Sequence, residues 1–202
     1  MELFIVRFSY LFWVFEASLR LTQQSLTQLK TLSLYDNHLQ EVSFLGKLKK
    51  MNWLCLNYNE ISDVSCLAGL KKLEFLWMND NPVDDYATLQ GLPSLKTLIL
   101  GENNLLDISF LSNLSSLESL SLEDNRIEDC SPLEHLFQLK TLYLSNNKIS
   151  DLTPLTKLPA LKELHFGGNL VTEQDEIVKE LAAKGVRLNL TGRSCSTGKH
   201  TL

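Results

Sequence analysis

Residues 117–150, LESLSLEDNRIEDCSPLEHLFQLKTLYLSNNKIS, contain one eleven-residue phrase twice. Leu117, Leu120, Leu122, Asn125 and Ile127 return 22 residues later as Leu139, Leu142, Leu144, Asn147 and Ile149. Outward from there, the asparagine recurs at Asn37, Asn59, Asn81, Asn103, Asn125, Asn147 and Asn169, with no insertion or deletion in six intervals. The leading apolar residue keeps the same step: Leu29, Met51, Leu73, Leu95, Leu117, Leu139 and Leu161. With that residue as position one, each unit reads L-x-x-L-x-L-x-x-N-x-(I/L/V). An apolar residue follows at position fourteen, then leucines at seventeen and twenty, as at Leu111 and Leu114. A fixed period of this length is the mark of a solenoid built from one repeated unit.

Positions four and six alternate with polar neighbours, as in a short half-buried strand. A single unit cannot bury its leucines, so stability must come from interfaces between adjacent repeats. Each asparagine falls just past the strand, where the chain turns inward. Its amide carries donors and an acceptor, so it can satisfy backbone groups of its own coil and the next. On the far side, Ser131-Pro132-Leu133 and Thr153-Pro154-Leu155 place proline at a helical start, where its fixed φ suits the first position. The available length is too short for an α-helix and predicts 3₁₀ turns.

On these residues the chain resembles the leucine-rich repeat family in its 22-residue form, as seen in phosphatase-regulatory and axonemal light-chain repeat proteins and in bacterial internalins. Residues 149–161, ISDLTPLTKLPAL, are especially similar to an internalin unit. The resemblance spans about residues 26–171. It implies an α/β repeat solenoid: a right-handed superhelix with a concave parallel β-sheet and short 3₁₀ or turn segments on the convex side. Function is not implied with equal force, because one fold hosts many jobs.

The expected organisation is an apolar N-terminal segment (1–28), seven repeats (29–171), a helix–strand cap (172–190) and a flexible tail (191–202). A solenoid needs caps over its terminal leucines. Thr172 and Asp175 have the spacing of a capping box, Ile177, Val178 and Leu181 form an apolar stripe, and Gly185 is a stop signal. Val186, Leu188 and Leu190 then alternate like a closing strand. Residues 3–15, LFIVRFSYLFWVF, are almost wholly apolar. They are compatible with a cap over the first repeat, with a secretory signal peptide that has a poor cleavage site, or with a mistaken upstream start. At thirteen residues they fall short of the roughly twenty that span a bilayer.

The net charge of −5 argues against nucleic acid, whose binders usually carry basic patches, and suits a basic partner. The cysteines form no disulfide framework: Cys130 and Cys66 sit at apolar positions, Cys55 at a strand position facing out, and Cys195 in the tail. Four reduced thiols favour the cytoplasm, with a secreted or surface location as the alternative. His38, His135, His165 and His200 show no ligand spacing, so no metal and no cofactor are expected. Asp63, Asp85, Asp107, Asp129 and Asp151 recur at position thirteen as turn residues. No catalytic constellation stands out. Glu163 and His165 share a strand beside Tyr143, without a nucleophile or oxyanion device.

Side chains at positions three and five must face the concave surface if four and six face the core, with seven and eight at its edge. Trp53, Phe75, Trp77 and Ile99 should therefore cluster, flanked by Tyr35 and Tyr58. Acids follow along one side: Asp36, Asp80, Glu102, Glu123 and Asp124. Tyr143 and His165 give a smaller polar corner. Exposed aromatic patches mark interaction sites, and tryptophan and tyrosine dominate hot spots. The expected function is a non-enzymatic, monomeric scaffold that binds a protein partner on this face; a membrane is not expected as a partner. The open alternatives are an internalin-like adhesion module, the recognition part of a larger enzyme, and a carbohydrate binder. A competing possibility is that the N-terminal segment folds over the aromatic patch.

Overall fold

The computed structural model describes residues 4–5 and 27–190. Each repeat contributes one three-residue strand at positions three to five: β2 (Thr31–Ser33), β3 (Trp53–Cys55), β4 (Phe75–Trp77), β5 (Thr97–Ile99), β6 (Ser119–Ser121), β7 (Thr141–Tyr143) and β8 (Glu163–His165). A two-residue strand, β1 (Phe4–Ile5), pairs in parallel before β2, and β9 (Arg187–Asn189) closes the sheet after β8. The nine strands lie in chain order in one sheet. Pairing runs in step with the sequence period, so Leu54 opposes Leu76, Leu76 opposes Leu98, and Leu98 opposes Leu120. The expected role of the N-terminal segment and the nature of the tail lie outside the described residues.

The repeat leucines form one continuous core: Leu54, Leu76, Leu98, Leu120 and Leu142 are each 0 % exposed. On the convex side, repeats one to six each close with a 3₁₀ turn, from Ser43–Lys47 to Thr153–Lys157. The recurrent aspartates set these turns. The carboxylates of Asp63, Asp107 and Asp129 accept from the N–H of Ser65, Ser109 and Ser131 at 2.7, 2.8 and 2.7 Å. The same serines donate their hydroxyls to the second carboxylate oxygen. Of the cysteines, Cys66 and Cys130 donate to backbone carbonyls between coils, Cys66 to Val42 and Cys130 to Asp151. Burial, with neighbouring aspartates adding, pushes these thiols up to about 11 and about 12, so neither is a reactive thiolate at neutral pH.

The asparagines form the expected ladder, with one difference of direction. Asn59 donates to Leu56 O in its own coil (2.8 Å) and to Leu34 O in the coil before it (2.9 Å). Its Oδ1 accepts from the N–H of Asn37 and Leu39, again in the preceding coil. Asn81, Asn103, Asn125, Asn147 and Asn169 also donate to the coil before them. The partner coil is the preceding one, not the next, because position nine turns inward beneath positions six, nine and eleven of its predecessor. A shorter ladder runs the other way at position seven. There Asn57 Oδ1 accepts from Asn79 N at 2.8 Å and Asn79 Oδ1 from Gly101 N at 2.6 Å.

At the C-terminal end the helix α1 covers Glu176–Ala183, shorter than the expected start at Thr172. The Asp175 carboxylate accepts from Thr172 N at 2.6 Å, which closes a separate turn ahead of the helix and leaves Asp175 itself as N-cap. Val178 and Leu181 seal the last leucines. Gly185, at φ 83°, ends the helix: its N–H reaches Ala182 O and that of Val186 reaches Leu181 O, the paired bonds of a Schellman cap.

Asn103 lies mid-stack, donates to Met78 O and Gly101 O, and accepts from Asn81 N. Asn103→Leu strands these buried groups at about 1–3 kcal/mol each. Urea unfolding of that variant is expected to show a loss of roughly 3 kcal/mol or more; an unchanged midpoint would rule out the ladder as a source of stability.

Candidate functional site

Because every coil has the same length and phase, side chains two residues apart on neighbouring strands meet on the concave sheet. Trp53 opposes Phe75, which opposes Thr97; Cys55 opposes Trp77, which opposes Ile99. Adjacent strands lie about 4.8 Å apart. This brings the Trp53 and Trp77 rings to 5.0 Å between centroids at 71°, an edge-to-face pair across β3 and β4. Such packing holds aromatic rings with about 0.5–1.5 kcal/mol beyond area burial. Trp53, Phe75, Trp77 and Ile99 are all half-buried. Next to them Tyr35 and Tyr58 pack edge to face at 5.2 Å, with Tyr35 38 % exposed.

The structure corrects the sequence reading at two places on this face. Position seven is buried rather than at the edge, except at Tyr35. Asn57, Asn79 and Ser145 lie buried there, and Glu123, expected on the acidic rim, is 2 % exposed. The cause is that sheet pairing continues one step beyond the strands, with Asp80 N bonding Gly101 O and Asp124 N bonding Ser145 O, so position seven is clamped between coils. Cys55, expected to face outward, is 2 % exposed, and burial raises its thiol pKa.

Position eight does form the edge, and it has a backbone reason to be acidic. Asp36, Tyr58, Asp80, Glu102, Asp124 and Asn146 all have φ between 50° and 61°, and Gly168 has φ 75°. Aspartate, asparagine and glycine tolerate this left-handed region; bulkier L-residues pay roughly 1–2 kcal/mol. The acids at Asp36, Asp80 and Asp124 thus answer a turn requirement as well as lining the face. Tyr58 and Glu102 do not satisfy that requirement cheaply. Strain held at such positions points toward use of the side chain. Partial burial, with Asp80 and Asp124 on either side, raises the Glu102 carboxyl above its ordinary range.

At the other end of the sheet, Tyr143 lies 4.4 Å from His165 between ring centroids. His165 Nε2 is 3.0 Å from Glu163 Oε1, and Arg187 Nη2 donates to Glu163 Oε2 at 2.7 Å. These bonds hold the Glu163 carboxyl below its usual range, His165 contributing most. Arg187 was absent from the sequence reading. Its signal was the alternation of Val186, Leu188 and Leu190, which places residue 187 on the concave side. Among the described residues no three His, Cys, Asp or Glu side chains are grouped to hold a metal ion.

This geometry has relatives. A family model described as leucine-rich repeats matches residues 50–91, 93–135 and 138–179. The chain belongs to the leucine-rich repeat family. It is similar to the crystal structure of internalin C2 from Listeria monocytogenes, with 36 % identity and TM-score 0.73, covering 82 % of this chain and 71 % of that one. It is also similar to another internalin of the same organism, inlF, with 29 % identity and TM-score 0.74 over 82 % of this chain. The leucine-rich repeat chain described here spans 51 % of the length of that internalin. No curated protein matches it.

Glu102→Gly relieves both the left-handed backbone and the charge beside Asp80 and Asp124. At neutral pH it is expected to stabilise the repeats by about 1 kcal/mol. Because the folded-state pKa of Glu102 is raised, wild type sheds the charge penalty as pH falls through the carboxylate range, so the variant's advantage should narrow there. Thermal melts across pH test this; a destabilised variant would contradict the strain assignment.

Proposed function

We propose that this protein is a non-enzymatic scaffold that binds a protein partner on the N-terminal half of its concave face. The observation that carries the reading is the Trp53–Trp77 pair, held half-buried on a rigid parallel sheet with Phe75 and Ile99 beside it. A side chain already fixed by its neighbours loses little freedom on binding, so more of its contact energy appears as affinity. Asp80, Glu102 and Asp124 along position eight favour a basic partner and speed its approach. Tyr143, His165 and Glu163 supply a second, polar contact at the far end. The chain acts as a monomer in this reading, with one partner anchored on repeats two to four and reaching the acidic edge and the polar corner beyond them.

The similarity to internalins favours a second version of the same function, an exported module that engages a partner on a cell surface. The two versions share the site and differ in where the partner lives.

One experiment addresses both. Wild type and the Trp53→Ala/Trp77→Ala variant are used as baits against lysate and against intact cells, with bound proteins identified by mass spectrometry and affinities measured on the purified pair. The variant is expected to fold and to lose about 2 kcal/mol or more of binding. A partner reached only at intact surfaces selects the exported version. Equal affinity for both baits would sink the concave aromatic site.

A further inference from the structure

Asp36, Tyr58, Asp80 and Glu102 stand in one column, at position eight of four consecutive repeats. The last bonds of the sheet hold that column in register: Asp36 N bonds Asn57 O, Tyr58 N bonds Asn79 O and Asp80 N bonds Gly101 O, at 3.0, 2.8 and 3.1 Å. Neighbouring members are therefore about one strand spacing apart, roughly 4.8 Å. One aromatic side chain thus sits in a row of carboxylates, with exposed Asp36 on one side and exposed Asp80 on the other. Tyr35 packs against the Tyr58 ring at 5.2 Å and 68°. The Trp53–Trp77 pair lies on the same coils, and Trp77 is three residues before Asp80.

These carboxylates have no cation of their own. Among the described residues none of Asp36, Asp80 and Glu102 lies within ion-pair distance of a lysine, arginine or histidine. On the opposite edge of the sheet the acids are paired, Glu74 with Lys96 at 2.6 Å and Glu118 with Lys140 at 2.5 Å. Partial burial and the charges of Asp80 and Asp124 raise the Glu102 carboxyl, as happens where like charges crowd without a counter-charge.

Aromatic rings and unpaired acids side by side constrain what can cover this face. A partner that buries Tyr35, Tyr58 and Trp77 also takes water from Asp36 and Asp80 beside them. An apolar surface would leave the two carboxylates desolvated and unpaired, which is strongly unfavourable. An acidic segment would be repelled. The partner must bring a cation, and the rings select its type. An ammonium is compact and strongly hydrated, whereas a guanidinium is weakly hydrated, lies flat on an aromatic face and offers forked donors to carboxylate oxygens. In each edge-to-face pair one ring meets its neighbour by its rim, so that neighbour does not stack on its face.

Resting on the protein-binding role proposed above, we infer that the edge of the concave face in repeats one to three takes an arginine side chain of the partner. Its guanidinium lies against Tyr58, and its donors are shared between Asp36 and Asp80.

A phage library of random dodecapeptides, selected on the full chain, tests this. Recovered peptides are synthesised with arginine, lysine or citrulline at each basic position; citrulline keeps the planar shape and removes the charge. Arginine is expected among them, and its replacement by citrulline should weaken binding about tenfold or more, as the loss of a charged hydrogen-bonded pair does. Replacement by lysine should weaken it several-fold. Asp36→Asn/Asp80→Asn should cost the arginine peptides about tenfold and leave the citrulline peptides unchanged. Asparagine already occupies position eight in repeat six, at Asn146 with φ 58°, so this variant keeps the turn. Trp53→Ala/Trp77→Ala separates the two possible failures. Peptides lost with the tryptophan variant, but indifferent to citrulline and to the asparagine pair, overturn the arginine inference and leave the concave site standing. Peptides indifferent to both sets of substitutions overturn inference and site together. Equal binding of lysine and arginine peptides, or recovery of none with arginine, also overturns the inference.

Discussion

A buried asparagine amide that must satisfy backbone groups in two coils at once is the constraint on which this molecule rests. Asn125 donates to Leu122 O and Glu123 O in its own coil and to Leu100 O in the coil before, while its Oδ1 accepts from Asn103 N and Leu105 N. These groups are buried, and an unpaired buried amide or carbonyl costs as much as several ordinary contacts contribute. A single inserted residue would carry the amide away from its partners, so each repeat is kept at 22 residues. Equal length gives equal phase, and equal phase is what aligns Trp53, Phe75, Trp77 and Ile99 on one face.

Position eight shows how a structural demand and a functional one overlap. The chain must turn there with positive φ in every repeat from Asp36 to Gly168. Aspartate meets the demand and adds negative charge to the rim, so composition at this position cannot be credited to a partner alone. Tyr58 and Glu102 are the informative residues because the backbone gains nothing from them. Both border the aromatic patch, which links the strain to the surface where binding is proposed.

The repeat core was legible in the sequence because leucine burial and the asparagine ladder leave an exact-period signature. The concave cluster followed from the two-residue alternation of the strands, and Trp53 does meet Trp77. What the pattern hid were contacts between coils. Glu123 has a polar side chain at a position that alternation alone places at an edge, yet sheet pairing extends past it and buries it. The Asn side chains gave no hint of whether they reach forward or back. The Thr172–Asp175 spacing fits a capping box, but the carboxylate closes a turn of its own and moves the helix start to Glu176.

Rigidity in this account comes from many identical inter-coil bonds rather than from one strong contact, so stability should be shared along the stack. Native-state hydrogen exchange reads this directly. The amides of Leu39, Ile61, Asn81, Asn103, Leu105, Ile127 and Ile149, which donate to asparagine side chains, should exchange only by global or near-global opening and be as protected as the strand amides of Leu76 and Leu98. Exchange of these amides at the rate of exposed turns, with the strands still protected, would contradict the claim that the asparagine ladder holds the coils together.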